Sequence, residues 1–211
     1  MSADEELLLH GAEELGVSLD GERRALLLAF LDRLYSWSRS AGLTRVPRGD
    51  AVRLHLIDSL SILDSLGSVT SLADLGAGGG LPGIPVAIMR PRLEVALVEV
   101  RRRKCSFLAE TVRELGLRNC RVAQLDARKV EAGSFDGVCA RAFVAASELV
   151  EIAARIVSPG GRIVVMAGPN STAPDDEVLA RLGLAKNDDR SFILPGGGER
   201  RRVIVYERGD R

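Results

Sequence analysis

The stretch LADLGAGGGLPGIP, residues 72–85, decides the fold, because an apolar run ends there in five glycines and two prolines. Glycine lacks the β-carbon that would keep a ligand away from the backbone, and it reaches the positive φ angles that a tight strand-to-helix turn requires. The stretch therefore predicts a turn that holds a cofactor against the main chain. The residues around it decide which cofactor that is.

The composition suits one folded unit of ordinary size. The chain has 211 residues, 46% of them hydrophobic, and a formal net charge of zero. This charge argues against a protein that coats nucleic acid non-specifically. The longest apolar runs, at 26–31 and 163–167, are too short to cross a bilayer, and the acidic residues 4–6 are unlike a signal peptide. We expect a cytoplasmic monomer that does not bind membranes.

The cysteines and histidines predict no metal centre. Cys105, Cys120 and Cys139 are odd in number and widely spaced in apolar sequence, so neither a disulfide framework nor a Cys-x-x-Cys site fits them. They are predicted to be buried free thiols. His10 and His55 lie in separate elements and cannot supply a ligand set.

Apolar periodicity divides the chain into two parts. Helical spacing predicts helices over 4–15 and 21–38 and a third from Asp50 to near Gly67. After residue 70, short apolar runs predict strands at Ser71–Leu75, Val95–Val98, Val122–Leu125, Gly137–Ala140, Arg162–Met166, Ser191–Leu194 and Arg202–Tyr206. Helical stretches lie between the strands at 84–90, 102–115, 145–157 and 175–182.

This alternation predicts an α/β fold with a doubly wound, mostly parallel sheet that is covered on both faces. Only residues 195–200 separate the last two strands, which is too short for a parallel crossover, so the last strand is predicted to be antiparallel. That arrangement is typical of class I, Rossmann-like methyltransferases that use S-adenosylmethionine. We predict this domain over residues 68–211 and a helical extension over 1–67, packed together as one unit.

The glycine spacing itself fits two cofactors. Gly76, Gly78 and Gly80 fit the G-x-G-x-G of methyltransferases, whereas Gly78, Gly80 and Gly83 fit the G-x-G-x-x-G of dinucleotide-binding proteins. Glu99 ends the second strand at the distance where either fold places an acid that binds ribose hydroxyls. Neither the glycines nor this acid discriminates between the cofactors.

Three other features favour methyl transfer. Asp74 would face the ammonium group of a ligand at the end of the first strand, where it would repel a pyrophosphate. Pro82 and Pro85 remove backbone donors that a pyrophosphate would use. An antiparallel last strand is not a usual feature of dinucleotide-binding domains. A nicotinamide (NAD)-dependent oxidoreductase remains the alternative enzyme class.

Several further segments match one family. They are Leu81-Pro82-Gly83-Ile84-Pro85, Arg90-Pro91, Leu43-Thr44, His55-x-x-Asp58-Ser59, Arg141-Ala142 and Gly198-Glu199-Arg200. With them the chain resembles, over nearly its whole length, the bacterial small-subunit rRNA guanine 7-methyltransferases, the glucose-inhibited division protein B family. The resemblance implies methylation of the position-7 ring nitrogen of one guanine in 16S rRNA, near the decoding region. The partner would be 16S rRNA or the small ribosomal subunit, and a non-catalytic RNA-binding assembly factor remains a third possibility.

The resemblance and the glycine motif together imply a set of cofactor contacts. Asp74 and Glu99 belong to it as the two acids at strand ends. The expected contacts to the methionine part are Gly76, Gly78 and Leu81, and those at the adenine edge are Asp126, Ala127 and Arg128.

Three residues are candidates for positioning the substrate. Arg141 follows the fourth strand at the edge where open α/β folds bind ligands, and the resemblance makes it a cofactor or substrate contact. His55 and Asp58, at i and i+3 on one helix, are expected to bond to each other and, by the resemblance, to line the site. No general base is expected, because the guanine nitrogen already carries an in-plane lone pair, so catalysis would come from alignment.

Basic residues would bind RNA phosphates without reading sequence. The candidates are Arg45, Arg48, Arg53, Arg101–Lys104 and Arg200–Arg202. One departure from the family lies after the fifth strand, where Met166-Ala167-Gly168 stands in place of the usual Leu-Lys-Gly and removes a cation.

Overall fold

The computed structural model describes residues 1–141, 146–168 and 170–210. Its strands are β1 (Ser71–Leu75), β2 (Glu94–Val98), β3 (Cys120–Ala123), β4 (Phe135–Arg141), β5 (Val157–Ala167), β6 (Leu184–Ile193) and β7 (Arg200–Arg208). Its α-helices are α1 (Ala3–Glu14), α2 (Gly21–Ala41), α3 (Asp58–Leu60), α4 (Gly83–Met89), α5 (Arg102–Glu114), α6 (Ala146–Ile156) and α7 (Asp176–Arg181). Ala142 of the family motif and the first residue of the predicted helix 145–157 lie outside the described residues.

The described strands form one sheet in the order β3-β2-β1-β4-β5-β7-β6. Neighbouring strands are parallel from β3 to β5, whereas β7 is antiparallel to both β5 and β6. The predicted fold class and the antiparallel last strand are confirmed. The chain leaves β1 toward β2 on one side and reaches β4 on the other, so the carboxyl end of β1 is the switch point where open α/β sheets bind ligands.

Hydrophobic side chains cover both faces of the sheet, as a parallel sheet requires. Leu72 packs with the cluster formed by α1, α2, α4 and α5, and the next residue, Ala73, packs with the cluster that contains α6 and α7. The alternation follows from the two-residue period of a strand. Cys105, Cys120 and Cys139 are buried free thiols, as predicted.

The amino-terminal helices belong to the first of these clusters. Ser2 and Glu5 form a capping box that starts α1, and Asp20 caps α2. Leu31 and Leu34 are fully buried in the same cluster as Leu97 of β2. The division at residues 67 and 68 stays a prediction, and the core is continuous across it. No described helix is long and apolar enough to cross a membrane.

Two predicted elements differ in the structure. The third helix is replaced by short turns, of which Val52–Ile57 is wound as a π turn that runs into α3. Strand β6 begins seven residues before the predicted Ser191, at Leu184. Its residues 185–190 are mostly polar, because an edge strand is held by hydrogen bonds to one neighbour and needs no apolar face there.

Candidate active site

The glycine stretch forms the predicted turn at the carboxyl end of β1. Gly76, Gly78 and Gly80 have φ angles of 67°, 56° and 82°, which side chains other than glycine rarely adopt. The Gly80 N–H donates to the Ala77 carbonyl at 2.7 Å and closes the turn. The chain then enters α4 at Gly83.

Asp74 lies beneath this turn and is fully buried. Its Oδ2 accepts a hydrogen bond from the Gly83 N–H at 2.9 Å, which ties the start of α4 to β1. Its Oδ1 has no hydrogen-bond partner among the residues the structure describes. Burial raises the pKa of this carboxyl from its ordinary 3.8 to about 7, because desolvation disfavours the charged form.

Glu99 is held rigidly just beyond β2. One carboxylate oxygen, Oε1, accepts from the Val100 N–H at 2.9 Å and the Arg101 N–H at 2.8 Å. The other, Oε2, accepts from the Gly78 N–H at 3.1 Å. Three backbone donors therefore fix the carboxylate against the glycine turn.

A cavity of about 410 Å³ opens beside Glu99, and we call it the cofactor cavity after the cofactor contacts predicted along it. Its lining residues are Gly76, Val98, Glu99, Val100, Arg101, Lys104, Leu125, Asp126, Ala127 and Arg128. The structure thus brings together five of the predicted cofactor contacts. Gly78 and Leu81 are outside this lining, since Gly78 is bonded to Glu99 and Leu81 packs in the core.

The far wall of the cofactor cavity is shaped by a short turn after β3. The Asp126 Oδ1 accepts from the Arg128 N–H at 2.8 Å and so starts a 3₁₀ turn over Ala127–Lys129. The Arg128 side chain pairs with Glu148 of α6. This wall therefore carries nearly balanced charge.

A second cavity, of about 330 Å³, lies at the ends of β4, β5 and β7. It is lined by Val46, Leu54, His55, Asp58, Ser61, Arg141, Met166, Ala167, Gly168, Arg201, Arg202 and Val203. All three predicted positioning residues meet here. So does the segment in which Ala167 replaces the family's usual lysine.

Asp58 is the centre of this second cavity's polar network. Its Oδ2 accepts from Arg141 Nη1 at 3.1 Å and its Oδ1 from Arg201 Nε at 2.8 Å. Arg141 also donates to the Leu54 carbonyl at 3.2 Å. One buried carboxylate therefore orients two guanidinium groups that come from different strands.

The expectation that His55 and Asp58 bond to each other is wrong. His55 Nε2 lies 2.8 Å from the Thr44 hydroxyl, and its Nδ1 lies 3.1 Å from the Leu54 carbonyl. The π turn is the reason, because its i→i+5 pitch rotates side chains three positions apart away from a common face. Burial, followed by the charge of Arg141, lowers the pKa of His55 from 6.5 to about 4. The imidazole is therefore neutral at pH 7, and its Nε2 accepts the Thr44 hydroxyl proton.

The sequence motifs gave no individual role to Thr44 or Arg201. Thr44 belongs to a matched dipeptide and Arg201 to a basic run, and neither pattern indicates a separate function for the residue. The predicted hairpin is the signal that could have placed Arg201 near the site, because antiparallel pairing puts the start of β7 beside the end of β5. In the structure Ala167 pairs with Arg202, the neighbour of Arg201.

Comparison with known proteins identifies the family. The family model for rRNA small subunit methyltransferase G matches residues 23–186. The chain is 39% identical to Ribosomal RNA small subunit methyltransferase G of Azoarcus sp. (strain BH72), over 96% of this chain and 95% of that protein. It is 37% identical to the protein of the same name from Geobacter sp. (strain M21), over 96% and 97% of the two chains.

Solved structures support the fold. The 1,6-didemethyltoxoflavin-N1-methyltransferase of Burkholderia thailandensis, solved with S-adenosylhomocysteine, superposes with a TM-score of 0.58 at 14% identity, over 92% of this chain and 93% of that one. This likeness shows the fold of S-adenosylmethionine-dependent methyltransferases. The sequence matches confirm the resemblance seen in the motifs, and the chain belongs to the rRNA small subunit methyltransferase G family.

Proposed function

We propose that this chain, as an rRNA methyltransferase of that family, transfers the methyl group of S-adenosylmethionine to the N7 atom of one guanine in 16S rRNA near the decoding region. The observation that carries the proposal is the presence of two cavities along the carboxyl edge of the sheet, within a member of that family. One cavity has the features of a cofactor site, and the other is lined by oriented arginines. The rRNA substrate would place its work in the cytoplasm, and action as a monomer stays a prediction.

The cofactor cavity fits S-adenosylmethionine. Glu99 presents a carboxylate whose position is fixed by three backbone donors, leaving lone pairs to accept from ribose hydroxyls. The buried Oδ1 of Asp74 has no hydrogen-bond partner among the described residues, and an ammonium bound near it would favour the ionised form of this carboxyl. Asp126 and Ala127 would meet the adenine edge, and Gly76 the methionine part. When bound, the cofactor supplies an electrophilic methyl group on a positively charged sulfur.

The second cavity fits a nucleophile that needs no deprotonation. His55 is neutral at pH 7, and its Nε2 is engaged by Thr44, so it is not free to take a proton. The guanine N7 lone pair must point at the methyl carbon, which leaves O6 and the flanking phosphates for contact with guanidinium groups. Arg141, held by Asp58, would therefore orient the base by its O6 edge or its phosphate. Alignment of nucleophile, methyl carbon and sulfur then accounts for the rate.

The test is methyl transfer to small ribosomal subunits purified from a strain that lacks the enzyme. Purified protein and labelled S-adenosylmethionine should label 16S rRNA, and digestion followed by mass spectrometry should place the label on guanine as 7-methylguanosine. Subunits from the parent strain, already modified, serve as the control. Label on an exocyclic amino group or a base carbon would refute the proposed position. Tight binding of subunits and cofactor without any label would instead favour a non-catalytic assembly factor.

A further inference from the structure

The amino-terminal turn of α5 carries four basic residues in a row, Arg101 to Lys104. Arg101 occupies the N-cap position without a side-chain hydrogen bond, and the first turn has no acidic residue. The partial positive charge at a helix amino terminus favours anions, so basic residues are unfavourable there. The helices α1, α2 and α7 follow the usual preference, with a Ser or Asp N-cap and acidic residues in the first turn. A local departure of this kind is expected where a ligand supplies the negative charge.

Ion pairing within the chain separates this turn from most other basic candidates. Several predicted phosphate contacts already pair with carboxylates, namely Arg48 with Asp4 and Asp32, Arg53 with Asp50 and Glu199, Arg201 with Asp58, which Arg141 shares, and Arg202 with Asp189. Within residues 1–141, 146–168 and 170–210, no carboxylate forms a salt bridge with Arg101, Arg102 or Lys104. The charges of these three side chains are therefore available to an external partner.

These cations lie beside the cavity proposed to hold the methyl donor. Arg101 and Lys104 line the cofactor cavity, and Arg101 and Arg102 are exposed. Lys104 Nζ lies 3.7 Å from where a β-carbon on Gly78 would be, so the ammonium group lies over the glycine turn. The opposite wall, with Arg128 paired to Glu148, offers no such excess of charge. The basic turn thus forms one exposed edge of the cofactor cavity.

We propose that Arg101, Arg102 and Lys104, the α5 basic surface, bind backbone phosphates of the 16S rRNA substrate beside the cofactor cavity. The inference rests on the proposed function, since it supplies the partner. S-adenosylmethionine carries a net positive charge, so a cationic edge does not serve to attract the cofactor. The chain has only 4% aromatic residues, which leaves little capacity for capture of RNA by stacking. Phosphate contacts at this edge supply affinity and fix the direction of approach.

Arg102→Glu tests the surface, with Arg118→Glu as its matched control. Both residues are exposed, neither lines the cofactor cavity, and both substitutions change the charge equally, but Arg118 lies beyond the carboxyl end of α5. Arg102→Glu should weaken binding of 16S rRNA and of unmodified small subunits about tenfold, and reduce the slope of log affinity against log salt by about 1. It should leave S-adenosylhomocysteine affinity unchanged and the melting temperature unchanged or higher, because it places an acid in the first turn. Arg118→Glu should alter RNA affinity less than about twofold.

Equal RNA affinities and equal salt slopes for the two variants would overturn the proposal. So would a loss of RNA binding by Arg102→Glu that is accompanied by a lower melting temperature and weaker S-adenosylhomocysteine binding, since that pattern assigns Arg102 to folding. A different result would refute the proposed methyl transfer. Wild-type protein that binds RNA through this surface but transfers no label would refute the activity and leave the surface standing. Label transfer by the wild type, together with unchanged RNA binding by Arg102→Glu, would refute the surface and leave the activity standing.

Discussion

Replacement of Asp58 is the most informative perturbation of the second cavity. The Asp58 side chain is 5% exposed, and its carboxylate bonds to Arg141 at 3.1 Å and to Arg201 at 2.8 Å. Asp58→Ala removes both bonds and leaves two guanidinium groups facing each other. Removing one partner of a fully buried ion pair costs about 3–5 kcal/mol. The arginine side chains retain 22% and 25% exposure, so water compensates in part and we expect a loss of about 2–3 kcal/mol.

The expected loss of stability is measurable by denaturant unfolding and by melting. For a chain of this size it corresponds to a decrease in melting temperature of about 5–10 °C. Methyl transfer should fall more than about tenfold at saturating cofactor, because Arg141 is no longer held in one orientation. The affinity for S-adenosylhomocysteine should stay within about twofold of wild type, since Asp58 is outside the cofactor cavity. Asp58→Asn, which keeps one acceptor oxygen, should fall between the two proteins in both stability and rate.

The matched control is Asp32→Ala. Asp32 also pairs with an arginine, Arg48, at 3.0 Å, but its side chain is 72% exposed. Exposed pairs contribute less than about 1 kcal/mol, so this variant should melt and react like the wild type. If Asp58→Ala is no less stable than Asp32→Ala, the buried network does not hold the site together. If Asp58→Ala loses cofactor affinity as strongly as rate, its role is not specific to the substrate side.

Three further predictions concern the cofactor side. Burial keeps the pKa of Asp74 near 7 in the folded state against 3.8 unfolded, so the folded state binds the proton more tightly and this carboxyl makes the wild type less stable as pH rises from about 4 to 7. As pH is raised from 5 to 8, the free energy of unfolding of ligand-free Asp74→Asn should therefore increase by about 2 kcal/mol relative to that of the wild type, measured by denaturant unfolding. Parallel pH profiles of the two proteins would contradict the assigned titration. Gly83→Ala should cost about 1–3 kcal/mol, because its β-carbon would lie 2.6 Å from Asp74 Oδ2 and overlap the Leu97 side chain; a melting temperature equal to wild type would show that the turn relaxes freely. Glu99→Ala should weaken S-adenosylhomocysteine binding at least about tenfold in calorimetry, since it removes a carboxylate that accepts hydrogen bonds; unchanged affinity would place the ribose elsewhere.

Much of the fold was predictable because its signals are local. The glycines at 76, 78 and 80 require positive φ wherever the chain goes next, and they adopt it. The short segment 195–200 excludes a parallel crossover, and β7 is antiparallel. The motif residues of the family follow one another along the chain, so the resemblance could be found without coordinates.

The elements that sequence reasoning placed wrongly depend on pairing and not on apolar pattern. Strand β6 is long because its backbone bonds to β7 along residues 184–193, and a polar edge strand has no hydrophobic period to detect. The π turn at Val52–Ile57 likewise leaves no mark in the spacing of apolar residues, which is consistent with an ordinary helix. Its consequence is that His55 bonds to Thr44 and that Asp58 is left for the arginines.

The sequence by itself determined the class of the fold, the glycine turn with Glu99 at the end of the next strand, and the family. Each of these follows from short local patterns of residues that can be recognised without knowing which segments meet in space. Tertiary structure decided which charges are available. Asp58 meets Arg141 and Arg201 across 83 and 143 residues of chain, and Arg48 and Arg53 are neutralised by carboxylates, whereas the α5 basic surface has no such partner among the described residues. Charge pairing is a property of distances in space, and a carboxylate neutralises whichever cation the fold brings within reach.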